Sequence, residues 1–157
     1  MSLVGEQNST AEAARRALLI LHAGETSAEF SKYPHGSRGC TARHESGHAV
    51  VGWSQGRTVE KIEIFPGGGG VTVFSGLGPV TEEALQVRDG TAVARVLAIM
   101  QTDPNLAEQN LDELRLDCRA LVLENWRTIE AVARALILES VLDGERFLKI
   151  VNGGNGE

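Results

Sequence analysis

The sequence is short of the residues on which several architectures depend. It has only two cysteines, Cys40 and Cys118, in 157 residues, too few for a disulfide framework. Neither sits in a CxxC pair of the kind that builds zinc ribbons or redox sites. Both are expected to be reduced thiols. Long apolar runs are also missing: the longest near the N-terminus, Ala17 to Leu21, falls far short of the roughly 20 residues that span a bilayer and is too short for a secretory core. The expected location is the cytoplasm, without membrane insertion. Charge of one sign is nowhere concentrated, since 15 basic residues are scattered among 21 acidic ones for a net charge of -6, so nucleic acid is not an expected partner. There is no GxxxxGK[ST] sequence; the run Gly67 to Gly70 lacks the Lys and Ser/Thr that hold phosphate and magnesium. No repeat with a period of about 20 to 50 residues is present, which excludes a solenoid.

What remains is ordinary globular material. Hydrophobic residues make up 42% and charged residues 23%, enough apolar side chains for one core, so a single domain over residues 1–157 is expected, with 1–8 and 152–157 as flexible ends. Ser9 or Thr10 caps a first helix to about Ala23, on the spacing of Ala14, Ala17, Leu18 and Leu21, and Gly24 ends it. Residues 31–39 read as loop, with Pro34, Gly36 and Gly39. Thr41 then caps a helix over Ala42 to Gln55, with Gly56 as its left-handed stop. At Thr58 the period changes to two, with Ile62 and Ile64 on one face and Lys61 and Glu63 on the other. The turn at Pro66 to Gly70 returns the chain as a second strand over Val71 to Phe74. Helices follow from Thr81 to a break at Asp103-Pro104, then on the stripe Leu111, Leu114, Cys118 and Leu121, then on Ile129, Val132, Ala133 and Leu136. Asp143-Gly144 reads as a turn into a short terminal segment. The fold class is α+β, mainly helical, with a small hairpin and a C-terminal helical bundle.

The chemistry concentrates in His44-Glu45-Ser46-Gly47-His48, which matches HExxH. Four residues is just over one helical turn, so both imidazoles leave one face and can bind one cation, with Glu45 beside the first ligand and within reach of the attacking water. Zinc suits two histidines, and the implied reaction is hydrolysis of a peptide bond with the carboxylate as general base. A third protein ligand is required. Gly47 and Gly52, inside one helix, each cost about 1 kcal/mol relative to Ala, which implies that something packs closely there. Trp53 and Trp126 read as core anchors, His22 as a helix-end residue, Cys118 as a buried thiol and Cys40 as a loop thiol near the motif.

HESGHAVVGW followed by VEKIEIFPGGGGVTVF resembles the protease domain of the FtsH family, membrane-anchored ATP-dependent zinc proteases with the motif HEAGHA before a similar strand pair. ALVLENWRTIEAVARALILESVLDGERFLKIV resembles that family's closing helical segment. The two matches cover about residues 40–151 with a gap between them. The resemblance implies a zinc metallopeptidase with His44 and His48 as ligands and Glu45 as base, acting on unfolded protein or peptide, and compatible with an oligomer. It also implies a distal aspartate ligand in an N-D-L-x-x-A-like sequence, for which the chain offers Asp103 in Thr102-Asp103-Pro104-Asn105-Leu106-Ala107. Asp103 before Pro104 is equally an N-cap, and Asp112, then Asp117, compete for the role, with His35 more remote. Lacking a P-loop, the domain is expected to work without ATP. The competing reading is a non-catalytic zinc-binding or helical protein-interaction module.

Overall fold

The computed structural model of the chain describes residues 3–75 and 104–153. It is α+β and mostly helical: α1 (Leu3–Phe30), α2 (Arg38–Ser54), β1 (Thr58–Ile64), β2 (Gly70–Ser75), α3 (Pro104–Glu124), α4 (Trp126–Glu139), β3 (Val141–Asp143) and α5 (Gly144–Gly153). The helix expected from Thr81 lies outside the described residues.

The first helix differs most from expectation. It begins at Leu3 and runs through Gly24 to Phe30. The interior glycine is kept because α2 passes against it too closely for a side chain. Four consecutive residues, Leu18 to Leu21, are each 3% exposed or less. A helix buried all round has neighbours on opposite sides, and here α2 packs on one and α3 on another. Cys118 of α3 reaches the Leu19 carbonyl and the Thr26 hydroxyl.

Ser37, not Thr41, caps α2: its backbone is extended and its hydroxyl accepts the Cys40 amide at 3.2 Å, satisfying one of the orphan donors of the first turn. At the other end Gly56 takes φ 87°. Its amide bonds the Trp53 carbonyl while Arg57 bonds that of Gly52, a Schellman closure that only a left-handed residue permits.

β1 pairs antiparallel with β2 on one side and β3 on the other, in the order β2-β1-β3. Ile64 faces Gly70, Ile62 faces Thr72, and a register shift falls between Val59 and Lys61. Ile62 and Ile64 are buried against the helices, while Lys61 and Glu63 pair at 3.3 Å on the outer face. The period-two reading of this strand therefore holds.

Ile129, Val132, Ala133 and Leu136 of α4 are completely buried, as their helical stripe requires. Asp143-Gly144 turns out to be a helix start: Asp143 Oδ1 accepts the Arg146 amide at 2.8 Å and opens α5, which buries Phe147 and Val151. A turn dipeptide and an N-cap carry the same side-chain signal. Trp53 meets Phe147 edge-on at 6.3 Å and Trp126 meets Phe30 at 6.0 Å, both as partly buried core anchors. No helix among the described residues is long and apolar enough to cross a membrane.

Candidate metal centre

The α-helical spacing of His44 and His48 brings their rings together on one face of α2, 4.6 Å between centroids and nearly perpendicular. Their Nε2 atoms lie 3.0 Å apart. Two imidazole nitrogens on one tetrahedral zinc, each about 2.0–2.1 Å from it, stand about 3.3 Å apart. At 3.0 Å the two Nε2 atoms stand within hydrogen-bond distance of each other, closer than two ligands of one zinc, and neutral imidazoles are the donor type that borderline-soft zinc takes.

The two rings are supported differently. His48 is 7% exposed and its Nδ1 lies 2.6 Å from the Ile20 carbonyl of α1. A carbonyl only accepts, so Nδ1 carries the proton and donates it, which leaves the lone pair on Nε2 toward His44. His44 is half-buried and lines a cleft of about 530 Å³ between the end of α1 and the start of α2, together with Glu25, Glu29, Tyr33, His35 and Cys40. The cleft connects the pair to solvent at the His44 side.

The crossing of α1 over α2 depends on small residues. A Cβ on Gly24 would come within 2.5 Å of His48 Cε1 and Nε2, and one on Gly47 would strike the Ser27 side chain and the Ala23 carbonyl. Gly52 has no room for a side chain against the Phe74 ring. The helix-weakening glycines of the motif region are therefore contact points, as their cost in helix propensity implied.

Glu45 points to the other neighbour, the sheet. It is 6% exposed, and Thr72 of β2 donates to its Oε1 at 2.8 Å. Gly70, on the same face of β2, packs against the Glu45 stem.

Arg43, almost completely buried, holds this stretch of α2 to α4. Its Nε and Nη2 donate to the two carboxylate oxygens of Glu130 at 2.9 and 3.1 Å, and its guanidinium lies 4.3 Å from the Tyr33 ring centre. The bond from Arg43 holds the Glu130 carboxyl below the usual carboxylate range, and the same bond raises Arg43. Burial pushes the Cys118 thiol up to about 11.

The remaining candidates separate. Asp103 lies outside the described residues. Asp112 is exposed on α3 beside Arg115, and Asp117 is exposed in an ion pair with Arg15. His35 lines the cleft, and Cys40 is a buried residue in the first turn of α2 rather than a loop thiol. His22 is mid-helix, with Nδ1 3.8 Å from a Glu25 carboxylate oxygen, because α1 continues past it. Among the described residues no group of three His, Cys, Asp or Glu side chains is arranged to hold a metal.

Ile20, Gly24, Gly70 and Thr72 carry no motif signal. Only Thr72 leaves a trace, as a polar residue at an inward position of an alternating strand.

Residues 40–87 match a protein-family model described as Peptidase M50B-like, a metallopeptidase family distinct from FtsH. The match covers under a third of the chain and spans α2, β1 and β2. No curated protein and no solved structure matches the chain. At the level the match reaches, the HExxH helix and its hairpin are metallopeptidase-like.

Proposed function

We propose that this chain is a zinc-dependent peptidase domain that hydrolyses peptide bonds in unfolded protein or peptide without ATP. The observation that carries the reading is the approach of His44 Nε2 to His48 Nε2 at 3.0 Å, with the carboxylate of the intervening Glu45 anchored on β2. Support also comes from the metallopeptidase match over residues 40–87.

In this reading His44 and His48 hold the metal, with Asp103 as third ligand. Bound zinc would supply Lewis acidity, which polarises a carbonyl and brings the pKa of water toward neutrality. Glu45 takes the proton of the attacking water and returns it to the leaving amine. His48 keeps its proton on Nδ1 through the Ile20 carbonyl, and His44 would hold the metal through Nε2 with its proton on Nδ1. Among the described residues β2 pairs with β1 alone, so its outer edge suits an extended peptide held by main-chain hydrogen bonds. The finer FtsH-type assignment rests on the resemblance of the motif helix and hairpin and of the segment Ala120 to Val151, of which the family match reaches only the first.

The test compares wild type with Glu45→Gln. Zinc near one equivalent in both proteins, with turnover of a mixed library of unstructured peptides in wild type alone, is expected. Zinc in both with no difference in turnover would leave a non-catalytic zinc module. No zinc after supplementation would remove the metal from the reading altogether.

A further inference from the structure

A glutamate leaving a helix has a soft terminal torsion, since rotation about its last bond is broad and roughly two-fold. General-base work needs that carboxylate in one orientation, because a misplacement of about 1 Å costs on the order of 100-fold in rate. Burial narrows the choice for Glu45 without selecting an orientation. Contacts from β2 supply the selection. Thr72, buried at the middle of the strand opposite Ile62, places Oγ1 2.8 Å from Glu45 Oε1 and 3.1 Å from the Glu45 backbone carbonyl.

A hydroxyl has one proton to donate. The carbonyl lies mid-helix, where the i+4 amide already serves it, whereas the buried carboxylate gains a charge-assisted bond. The proton therefore goes to Oε1. One strand position pair earlier, Gly70 supports the stem: a Cβ there would come 2.8 Å from Glu45 Cγ and 3.3 Å from Cδ. Phe74, next on the same face, closes on Gly52. Three alternate residues of β2 thus follow α2 from Glu45 to Gly52, and the strand register sets where the hydroxyl stands.

Resting on the peptidase reading above, we propose that Thr72 is a positioning residue for Glu45: its hydroxyl fixes the carboxylate plane, and thereby the direction in which the other oxygen presents its lone pair to water. Gly70, with no side chain, leaves room for the stem beside the strand.

The experiment uses the full chain and the variants Thr72→Val, Thr72→Ser and Glu45→Ala. With zinc loaded and a mixed library of unstructured peptides as substrate, Thr72→Val is expected to lower kcat about 10- to 100-fold, with KM within about two-fold and zinc stoichiometry unchanged. Thr72→Ser, which keeps the hydroxyl, is expected to stay within about three-fold of wild type. A second readout needs no turnover: in metal-free protein the drop in Tm caused by Thr72→Val is expected to be at least about twice as large with Glu45 present as in the Glu45→Ala background.

Wild-type kcat in Thr72→Val, an equal loss in Thr72→Ser, or the same Tm shift in both backgrounds would each overturn the proposal. Absence of turnover in wild type removes the peptidase reading instead, and the melting cycle then decides by itself whether Thr72 seats Glu45.

Discussion

Gly24 of α1 lies directly against the imidazole of His48, so close that a β-carbon there would come within 2.5 Å of both Cε1 and Nε2. The Nε2 edge of the second motif histidine is thus shaped by a residue with no side chain, on a helix with no motif. Gly24→Ala must push the ring away or part the helices, at a cost of about 1–3 kcal/mol. We expect zinc affinity, measured by competition with a chromophoric chelator, to fall at least about ten-fold. Gly67→Ala is the control, since nothing lies within 4 Å of its added carbon. Unchanged affinity in Gly24→Ala would show that His48 does not need this position to bind.

Zinc should stabilise the fold through the histidine pair. A ligand that binds only the native state adds about 2.7 kcal/mol when present at 100 times its dissociation constant. A rise in Tm on adding zinc, reversed by chelator, is therefore expected for wild type and absent from His44→Ala and His48→Ala. An equal rise in the variants would place the ion elsewhere.

The Arg43–Glu130 pair sets an acid limb. Because Arg43 lowers the Glu130 carboxyl from its ordinary 4.5 in the folded state, the pair's stabilisation is complete above that value and is lost as pH falls through the lowered one. Arg43 is raised, which carries its loss far into alkali. Arg43 has a 3% exposed side chain and Glu130 24%, so Glu130→Ala leaves a buried guanidinium without its counter-ion, at about 3 kcal/mol near neutral pH. Melting curves of the two proteins should keep a constant gap through neutral pH and converge as pH falls below the ordinary carboxylate value of 4.5. A constant gap down to strong acid would refute the ion-pair account.

Cys118, completely buried and raised from 9.0 to about 11, should resist iodoacetamide in the native protein near pH 8 and react once the chain unfolds. Below 9.0 the thiol is protonated in both states and stability does not depend on it. Stability falls as pH rises from 9.0 toward about 11, because the unfolded thiol ionises first. Peptide mapping of alkylation sites against denaturant reads this directly. Labelling of Cys118 in native protein at a free-thiol rate would contradict its burial.

The parts of this protein that could be read in the sequence are those encoded within a few residues. The His44/His48 pair is one, because four residues make a helical turn whatever surrounds it. The alternation of β1, the stop at Gly56 and the stripe of Ile129, Val132, Ala133 and Leu136 are others. Where one signal serves two structures, as at Asp143-Gly144, a turn and a helix N-cap look alike along the chain, and the Arg146 amide bonded to Asp143 makes it the cap. The M50B-like match agrees with the metallopeptidase reading of the motif and does not extend to the FtsH resemblance.

Tertiary structure decided how the motif is set. The Ile20 carbonyl that gives His48 its tautomer is 28 residues away, and the Thr72 hydroxyl that holds Glu45 is 27 away. One is a backbone atom and the other a common strand residue, so neither leaves a pattern along the chain. Periodicity is a local property of the backbone and shows in sequence. The close approach of α1 and β2 to two different faces of α2 depends on how whole elements pack, and only the folded chain specifies it.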